Sequence, residues 1–493
     1  MAAPQGEGMG MPEPVPQVTN FPQGPPEAWR FDVFARWPRL KRLVQMRSFQ
    51  YLVVVPNLFL FYLFLIAGLF GTPVGNKNII IVFVWILWWV VLIGLMVPFG
   101  SRIWCTMCPL PFFGDWLQRR AVVKVRPGKS PGTENTFFGL HKRWPKSLSN
   151  IWLQNFGFLL LATFSALLVT RPIVSAVVFG LLILIAAVLA LVYRLRTFCN
   201  YVCPISGFLS LYSMTSTVEL RSVDKNVCLK CKSKACIRGS DKGWACPWNV
   251  YMGKLDRNNY CGLCFECVKS CPNDNISLFA RPFATSDVVL KGYDEVWKAC
   301  IMLILALTYS VMLLGPWGRF KDWANASESG NWGGFGLFAA GQALLALVIF
   351  PGLYYLSIRL AKWYARADAV PTKELFLRYA YMLVPMGLLA WIAFSVPLLM
   401  VNGSYIISVA SDPLGWGMDL FHTADFPWKP LWPQWVPFVQ APILLAGLYF
   451  ALKGLHKVAC QLFPNAAQRR RSLVPPAVLL LGVTVAFLKL FIG

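Results

Sequence analysis

Twelve of the fourteen cysteines fall into three groups whose spacing points to metal chemistry. Residues 258–278 read NNYCGLCFECVKSCPNDNISL, so Cys261, Cys264, Cys267 and Cys271 form a C-x2-C-x2-C-x3-C-P run. A loop this tight delivers three thiolates to one iron–sulfur cubane, and where two cubanes share a chain the fourth Cys, the one before Pro, ligates the other. Upstream, Cys228, Cys231, Cys236 and Cys246 follow the less regular pattern C-x2-C-x4-C-x9-C-P, and Cys246 also precedes proline. Cross-donation therefore predicts one [4Fe–4S] cluster on Cys228, Cys231, Cys236 and Cys271, and a second on Cys261, Cys264, Cys267 and Cys246. The alternatives are zinc, which usually takes two widely separated pairs rather than a close run of four, and disulfides, which a reducing compartment disfavours.

The third group is two pairs: Cys105 and Cys108 in SRIWCTMCPLPFFGDWL (101–117), and Cys199 and Cys203 in LRTFCNYVCPISGFLSL (195–211). Both phrases run Arg, any residue, aromatic, Cys, a short gap, then Cys-Pro, which reads as an internal repeat of a two-helix unit. Four thiolates from two equivalent helix ends would enclose a metal or a further cluster, with Arg102 and Arg196 offsetting the negative charge. The alternative, buried cysteine as a small apolar filler, does not account for the shared context. Cys300 and Cys460 are unpaired and read as packing residues.

The elements that must position these thiols are membrane helices. Of 493 residues, 57% are hydrophobic and only 14% charged, well short of the charged share of a soluble domain. Nine apolar runs of about twenty residues, long enough to span the hydrocarbon core, fall at 51–71, 79–99, 150–170, 173–193, 297–316, 335–357, 377–400, 436–452 and 473–492. No cleavable signal is visible, and the first span is expected to insert uncleaved. The formal charge of +24 raises nucleic acid as a partner. With a cytoplasmic N-terminus, however, nearly all of it lies in inside segments, and the outside loops keep only Lys77, Arg171, Arg319, Lys321 and Lys429. That bias is membrane orientation, so nucleic acid is dropped.

The expected fold is an all-α polytopic membrane protein of about nine transmembrane helices with an inserted cytoplasmic ferredoxin-like domain holding two clusters. Its parts are a disordered and then basic N-terminal segment (1–50), a four-helix membrane domain (51–221), the ferredoxin-like insert (222–295) and a five-helix membrane extension (296–493). Residues 27–50 mix aromatics with Arg and Lys in a way that suits a membrane surface, and 205–220 are expected to form a short helix lying along it. The Trp-rich outside segments 317–334 and 401–435 read as a docking face or an aromatic belt.

Some chemistries are disfavoured. The three histidines, His141, His422 and His456, lie outside the apolar runs, where they cannot ligate transmembrane haem. No G-x-G-x-x-G or Walker phosphate loop occurs. The C-terminal helices carry few ionisable groups, Lys489 being the main exception, which argues against a transporter.

Over residues 50–281, the two membrane Cys-Pro motifs followed by a double-cluster insert resemble the NapH/NosR family of polyferredoxin-like membrane proteins. The resemblance implies that Cys105, Cys108, Cys199 and Cys203 match that family's membrane cysteines and the eight insert cysteines its cluster ligands. The expected location is the bacterial inner membrane, and the Lys and Arg bias places the N-terminus and insert in the cytoplasm and the C-terminus in the periplasm. The function that the resemblance implies is to pass electrons between the quinone pool and partner redox subunits in a multi-subunit complex. Three features depart from the family: a C-x2-C-P first motif where C-x3-C-P is usual, no periplasmic flavin-binding domain, and five extra helices. A second reading is a metal-reducing factor for metalloenzyme assembly, as in the CcoG branch, although this chain ends in helices rather than an immunoglobulin-like domain.

Overall fold

The computed structural model describes residues 29–120, 138–284, 289–313 and 318–492, so the Pro- and Gly-rich segment 1–28 lies outside the described residues. The chain is mostly helical. Among the described residues eight helices are long and apolar enough to cross a membrane: Phe49–Phe70, Ile80–Gly100, Pro172–Val192, Tyr293–Leu313, Trp332–Ala365, Thr372–Asn402, Pro433–Leu462 and Ala466–Ile492. The ninth expected span, 150–170, is helical but broken. Trp152–Thr163 and Ser165–Thr170 meet at Phe164, whose φ of −90° and ψ of 13° interrupt the helix, and neither piece alone is long enough to cross. Proline at the first helical position opens Pro172–Val192, where its missing N–H costs nothing. Small residues set the closest crossings: a Cβ on Gly68 would stand 2.6 Å from the Ala176 Cβ, so glycine is what lets Phe49–Phe70 meet Pro172–Val192.

The segment expected to lie along the membrane surface is interior instead. Pro204–Tyr212 forms a helix with Phe208, Leu209, Leu211 and Tyr212 at most 3% exposed. Its residues are too uniformly apolar on all sides to leave one face in water, and the long helices bury it all round. Phe208 packs on Trp89, Phe158, Tyr212 and Trp391, and Trp391 in turn meets Tyr309 and Phe394 while its indole N–H donates to the Met302 carbonyl at 2.9 Å. This aromatic hub joins the first membrane region to the C-terminal helices in one continuous core. Of the added helices, Tyr293–Leu313 and Thr372–Asn402 pack against Pro204–Tyr212 and help to enclose it.

A small sheet brackets the insert. Strands β1 (Phe31–Asp32), β2 (Val218–Ser222) and β3 (Ile276–Ala280) form an antiparallel sheet in the order β1-β3-β2. Strand β2 leads into the insert's first cysteines and β3 leaves its last, so their pairing clamps the ends of the cysteine loops together. Strand β1 comes from the N-terminal segment, which is docked on the insert. Phe34 and Phe49 pack on Phe265, Arg30 pairs with the buried Glu219 at 3.0 Å, Lys41 with Asp274 at 2.5 Å, and Arg47 donates to the Asp241 carbonyl at 2.8 Å. Trp37, Leu40, Leu43 and Met46 of the same segment stay exposed, so its other face remains open to a membrane surface.

Candidate metal centres

Cys228, Cys231, Cys236 and Cys271, named together by the cross-donation rule, line one pocket. Asn275 braces it: its backbone N–H donates to Cys271 Sγ at 3.4 Å, its amide to Cys228 Sγ at 3.3 Å, and its Oδ1 accepts from the Asp224 N–H at 2.9 Å. The Tyr251 hydroxyl donates to the Cys228 carbonyl and closes the other side. Donors directed at sulfur stabilise a thiolate and tune a metal bound to it.

Cys246, Cys261, Cys264 and Cys267 form the second group, close enough for each charge to bear on the others' ionisation. The Cys-Pro motifs at Cys203 and Cys271 share one local geometry, and Cys108 and Cys246 each show part of it. Proline drives the preceding residue out of the helical region, and Cys108, Cys203 and Cys271 have φ between −60° and −70° with ψ between 114° and 128°. The chain then turns back, so that a following N–H reaches the sulfur: Ser206 to Cys203 at 3.4 Å, Val250 to Cys246 at 3.5 Å, and Asn275 to Cys271 at 3.4 Å. For Cys203 that donor lies in the first turn of Pro204–Tyr212, where the helix dipole also favours negative charge.

The membrane pairs lie at the ends of two short turns within one buried cluster. Cys199 sits in a π-helical turn, Phe198–Val202, that ends at Cys203, and Cys105 lies in the turn Trp104–Met107 that ends at Cys108. Cys105, Cys199 and Cys203 are buried in one cluster, with Cys108 packed against it. Both arginines are buried, Arg102 at 3% exposure and Arg196 at 5%. Arg102 places Nη2 3.7 Å from Cys105 Sγ and 2.6 Å from Ser206 Oγ, whose hydroxyl donates to the Cys199 carbonyl at 2.6 Å. Arg196 donates to the Cys105 carbonyl at 3.1 Å and is paired with Asp115 at 2.6 Å. Each arginine therefore reaches across to the other half of the site.

The second and third groups are stitched together. Arg102 donates to the Asn259 carbonyl and lies 4.3 Å over the Trp248 ring, and Thr106 donates to the Gly262 carbonyl at 2.8 Å. Cys236 of the first group and Cys267 of the second belong to one buried cluster, so the second group has the first on one side and the membrane group, through Arg102 and Thr106, on the other.

Burial pushes the Cys236 and Cys264 thiols up to about 11 and the Cys203 thiol up to about 12. Cys231 is lowered, chiefly by its hydrogen bond with the Ser233 hydroxyl. At neutral pH the buried thiols are protonated until a metal takes the proton's place. Among the described residues no three His, Cys, Asp or Glu side chains converge as they would on a single metal ion. The four cysteines of the first group line one pocket. No cysteine is in a disulfide. The donor set, all thiolate with N–H and guanidinium support, fits an iron–sulfur cluster.

Sequence reasoning missed the polar residues that support the membrane group. Lys298, 1% exposed near the start of Tyr293–Leu313, donates to Gln154 at 3.0 Å, and Gln154 donates to the Cys199 and Asn200 carbonyls at 3.2 and 2.9 Å. A lysine at the edge of an apolar run reads as an interfacial flank; only the fold shows it turned inward.

Residues 81–130 and 176–215 match the family described as "4Fe-4S binding domain". These two stretches hold the membrane cysteine pairs and not the insert. The chain is also similar to two uncharacterised proteins of Methanocaldococcus jannaschii. One is 37% identical over 81 residues, 16% of this chain and 29% of the relative; the other is 31% identical over 100 residues, 20% of this chain and 37% of the relative. The matched regions thus span about a third of the relatives' length. No solved structure matches. By these comparisons, two stretches of the chain that include both Cys-Pro pairs of the membrane region are similar to a 4Fe-4S binding domain.

Proposed function

We propose that this protein is a membrane-bound iron–sulfur relay that moves electrons between the quinone pool and partner redox proteins. The observation that carries the reading is the contiguity of three four-cysteine groups, with Arg102 and Thr106 tying the membrane group to the second insert group. One [4Fe–4S] cluster is assigned to Cys228, Cys231, Cys236 and Cys271, one to Cys246, Cys261, Cys264 and Cys267, and a third to Cys105, Cys108, Cys199 and Cys203. Such clusters supply one-electron chemistry over a wide range of potentials. The chain's own residues hold them, exclude water with the Trp391 hub, and neutralise their charge with Arg102 and Arg196. The family match on the membrane pairs supports the third assignment.

The resemblance to the NapH/NosR family supports the quinone as one reactant, a multi-subunit setting, and a bacterial inner-membrane location with the insert in the cytoplasm. The packing of segment 29–48 on the insert supports placing both on the same side. The test is anaerobic mixing of the dithionite-reduced protein, freed of excess reductant, with a water-soluble menaquinone analogue while cluster absorbance is followed. Reoxidation that requires Cys105 and Cys199 supports the relay. Reoxidation at an unchanged rate in a Cys105→Ser/Cys199→Ser variant contradicts it.

A further inference from the structure

The relay has an outer end, and its surface chemistry is specific. The second insert group is covered on one side by Arg102 and Thr106 and on another by the N-terminal segment through Phe34 and Phe49. The first group keeps Cys231 and Cys271 partly exposed. Around it the charge is uneven. Residues 225–242 hold six Lys and Arg against one Asp, whereas residues 243–295 of the same insert hold five against six Asp and Glu. A general excess of cytoplasmic Lys and Arg would not concentrate at one end of the insert. The short helix Lys225–Lys230 that carries Cys228 also exposes apolar side chains, Val227 at 36% and Leu229 at 59%, with Val223 beside it at 59%. Lys225, Lys230 and Lys232 are exposed around them. An apolar centre with a charged rim is the anatomy of a transient protein interface, in which the rim steers the encounter and the centre is dehydrated on contact.

We propose that this face, centred on Leu229 and rimmed by Lys225, Lys230 and Lys232, docks a soluble, acidic one-electron carrier protein over the Cys231 edge of the first cysteine group. The proposal rests on the relay reading and names the class of its water-soluble partner. One electron is exchanged per encounter, one protein being oxidised as the other is reduced, with no bond made or broken. The opposite sign of charge on the carrier follows from the basic rim, and a small contact fits a partner that must leave after each transfer.

The test uses the intact protein in detergent micelles and, as probe, a gallium-substituted plant-type ferredoxin, an acidic carrier that cannot change redox state. Binding is read by fluorescence anisotropy at about 20 mM and about 300 mM salt, where screening differs several-fold. The expected result is saturable binding at low salt, weakened about tenfold or more at high salt and by a similar factor in Lys230→Glu/Lys232→Glu, with Arg470→Glu/Arg471→Glu changing it less than about twofold. Absence of binding at low salt, salt-independent binding, or equal loss in both double variants would overturn the proposal. So would capture of phosphatidylglycerol vesicles through the same lysines without capture of the carrier, which would assign the patch to lipid headgroups. Because the probe is redox-silent, this readout is independent of whether the relay itself carries electrons, which iron analysis decides separately.

Discussion

Arg102 offers a quantitative test of the membrane site. Its guanidinium is 3% exposed, with Nη2 3.7 Å from Cys105 Sγ. With the charge of a cluster centred roughly 6 Å from the guanidinium and an effective dielectric of about 20, one unit charge contributes roughly 3 kcal/mol. For a one-electron couple that is roughly 130 mV, and relaxation of the surroundings is expected to leave about half. Arg102→Met keeps the chain length, removes the charge, and should therefore lower the midpoint potential of the membrane centre by ~60–130 mV, because the reduced, more negative state loses its nearest cation. Arg102→Lys keeps the charge but cannot serve Asn259, Ser206 and Cys105 together. Its potential should stay within ~30 mV of the parent while its thermal stability falls, as expected when hydrogen bonds worth ~1.5–3 kcal/mol each are lost from a charged donor. The assay is an EPR-monitored redox titration of both variants. Equal shifts in the two, or no shift in Arg102→Met, would refute the electrostatic reasoning and leave Arg102 a structural strut.

Three further outcomes are expected. Burial alone would raise the Asp115 carboxyl, but Arg119 and Arg196 outweigh it and hold the group below the usual carboxylate range. Its ion pairing therefore adds stability that is complete above the ordinary pKa of about 4 and is lost as pH falls through the lower, folded value. Asp115→Asn should accordingly unfold at a lower temperature than the parent at pH 7, and the gap should narrow only in strong acid, as read by scanning fluorimetry. A Cβ on Gly262 would stand 2.1 Å from Trp248 Nε1, so Gly262→Ala should cost ~1–3 kcal/mol by overpacking and reduce iron retention at the second insert group, measured as iron per protein. Phe34→Ala should release the N-terminal segment from Phe265 at a cost of ~3–5 kcal/mol, seen as faster hydrogen exchange over residues 31–46, without altering exchange in the helix Pro204–Tyr212.

Much of the site was legible because cysteine spacing is a local constraint. A C-x2-C-x2-C loop can reach only one cluster, and each Cys-Pro sets its own backbone. The cross-donated pairing of Cys271 with Cys228, Cys231 and Cys236 followed from that rule alone, and all four line one hollow. The long apolar helices were legible for a similar reason, since length and hydropathy decide membrane crossing residue by residue. What escaped is non-local. Residues 204–212 are as apolar as any membrane flank, and only the facing Trp89, Phe158 and Trp391 make them interior. Strand β1 is two residues long and exists because β3 offers it an edge, Phe31 pairing with Ala280 and Asp32 with Phe279. Lys298 became part of the cysteine environment only when Gln154, from another helix, met it. The five C-terminal helices had no motif to read, and the packing of Tyr293–Leu313 and Thr372–Asn402 on Pro204–Tyr212 is a contact that many apolar sequences can make.

The most direct test of the central claim is the iron and acid-labile sulfide content of anaerobically purified protein, alongside a Cys105→Ser/Cys199→Ser variant, with EPR after reduction. Three four-cysteine groups each holding a cubane predict about twelve irons per chain, falling to about eight in the variant with the signals of the insert pair retained. About eight irons in both proteins, with identical spectra, would contradict a cluster at the membrane pairs, and iron absent from both would contradict the relay altogether.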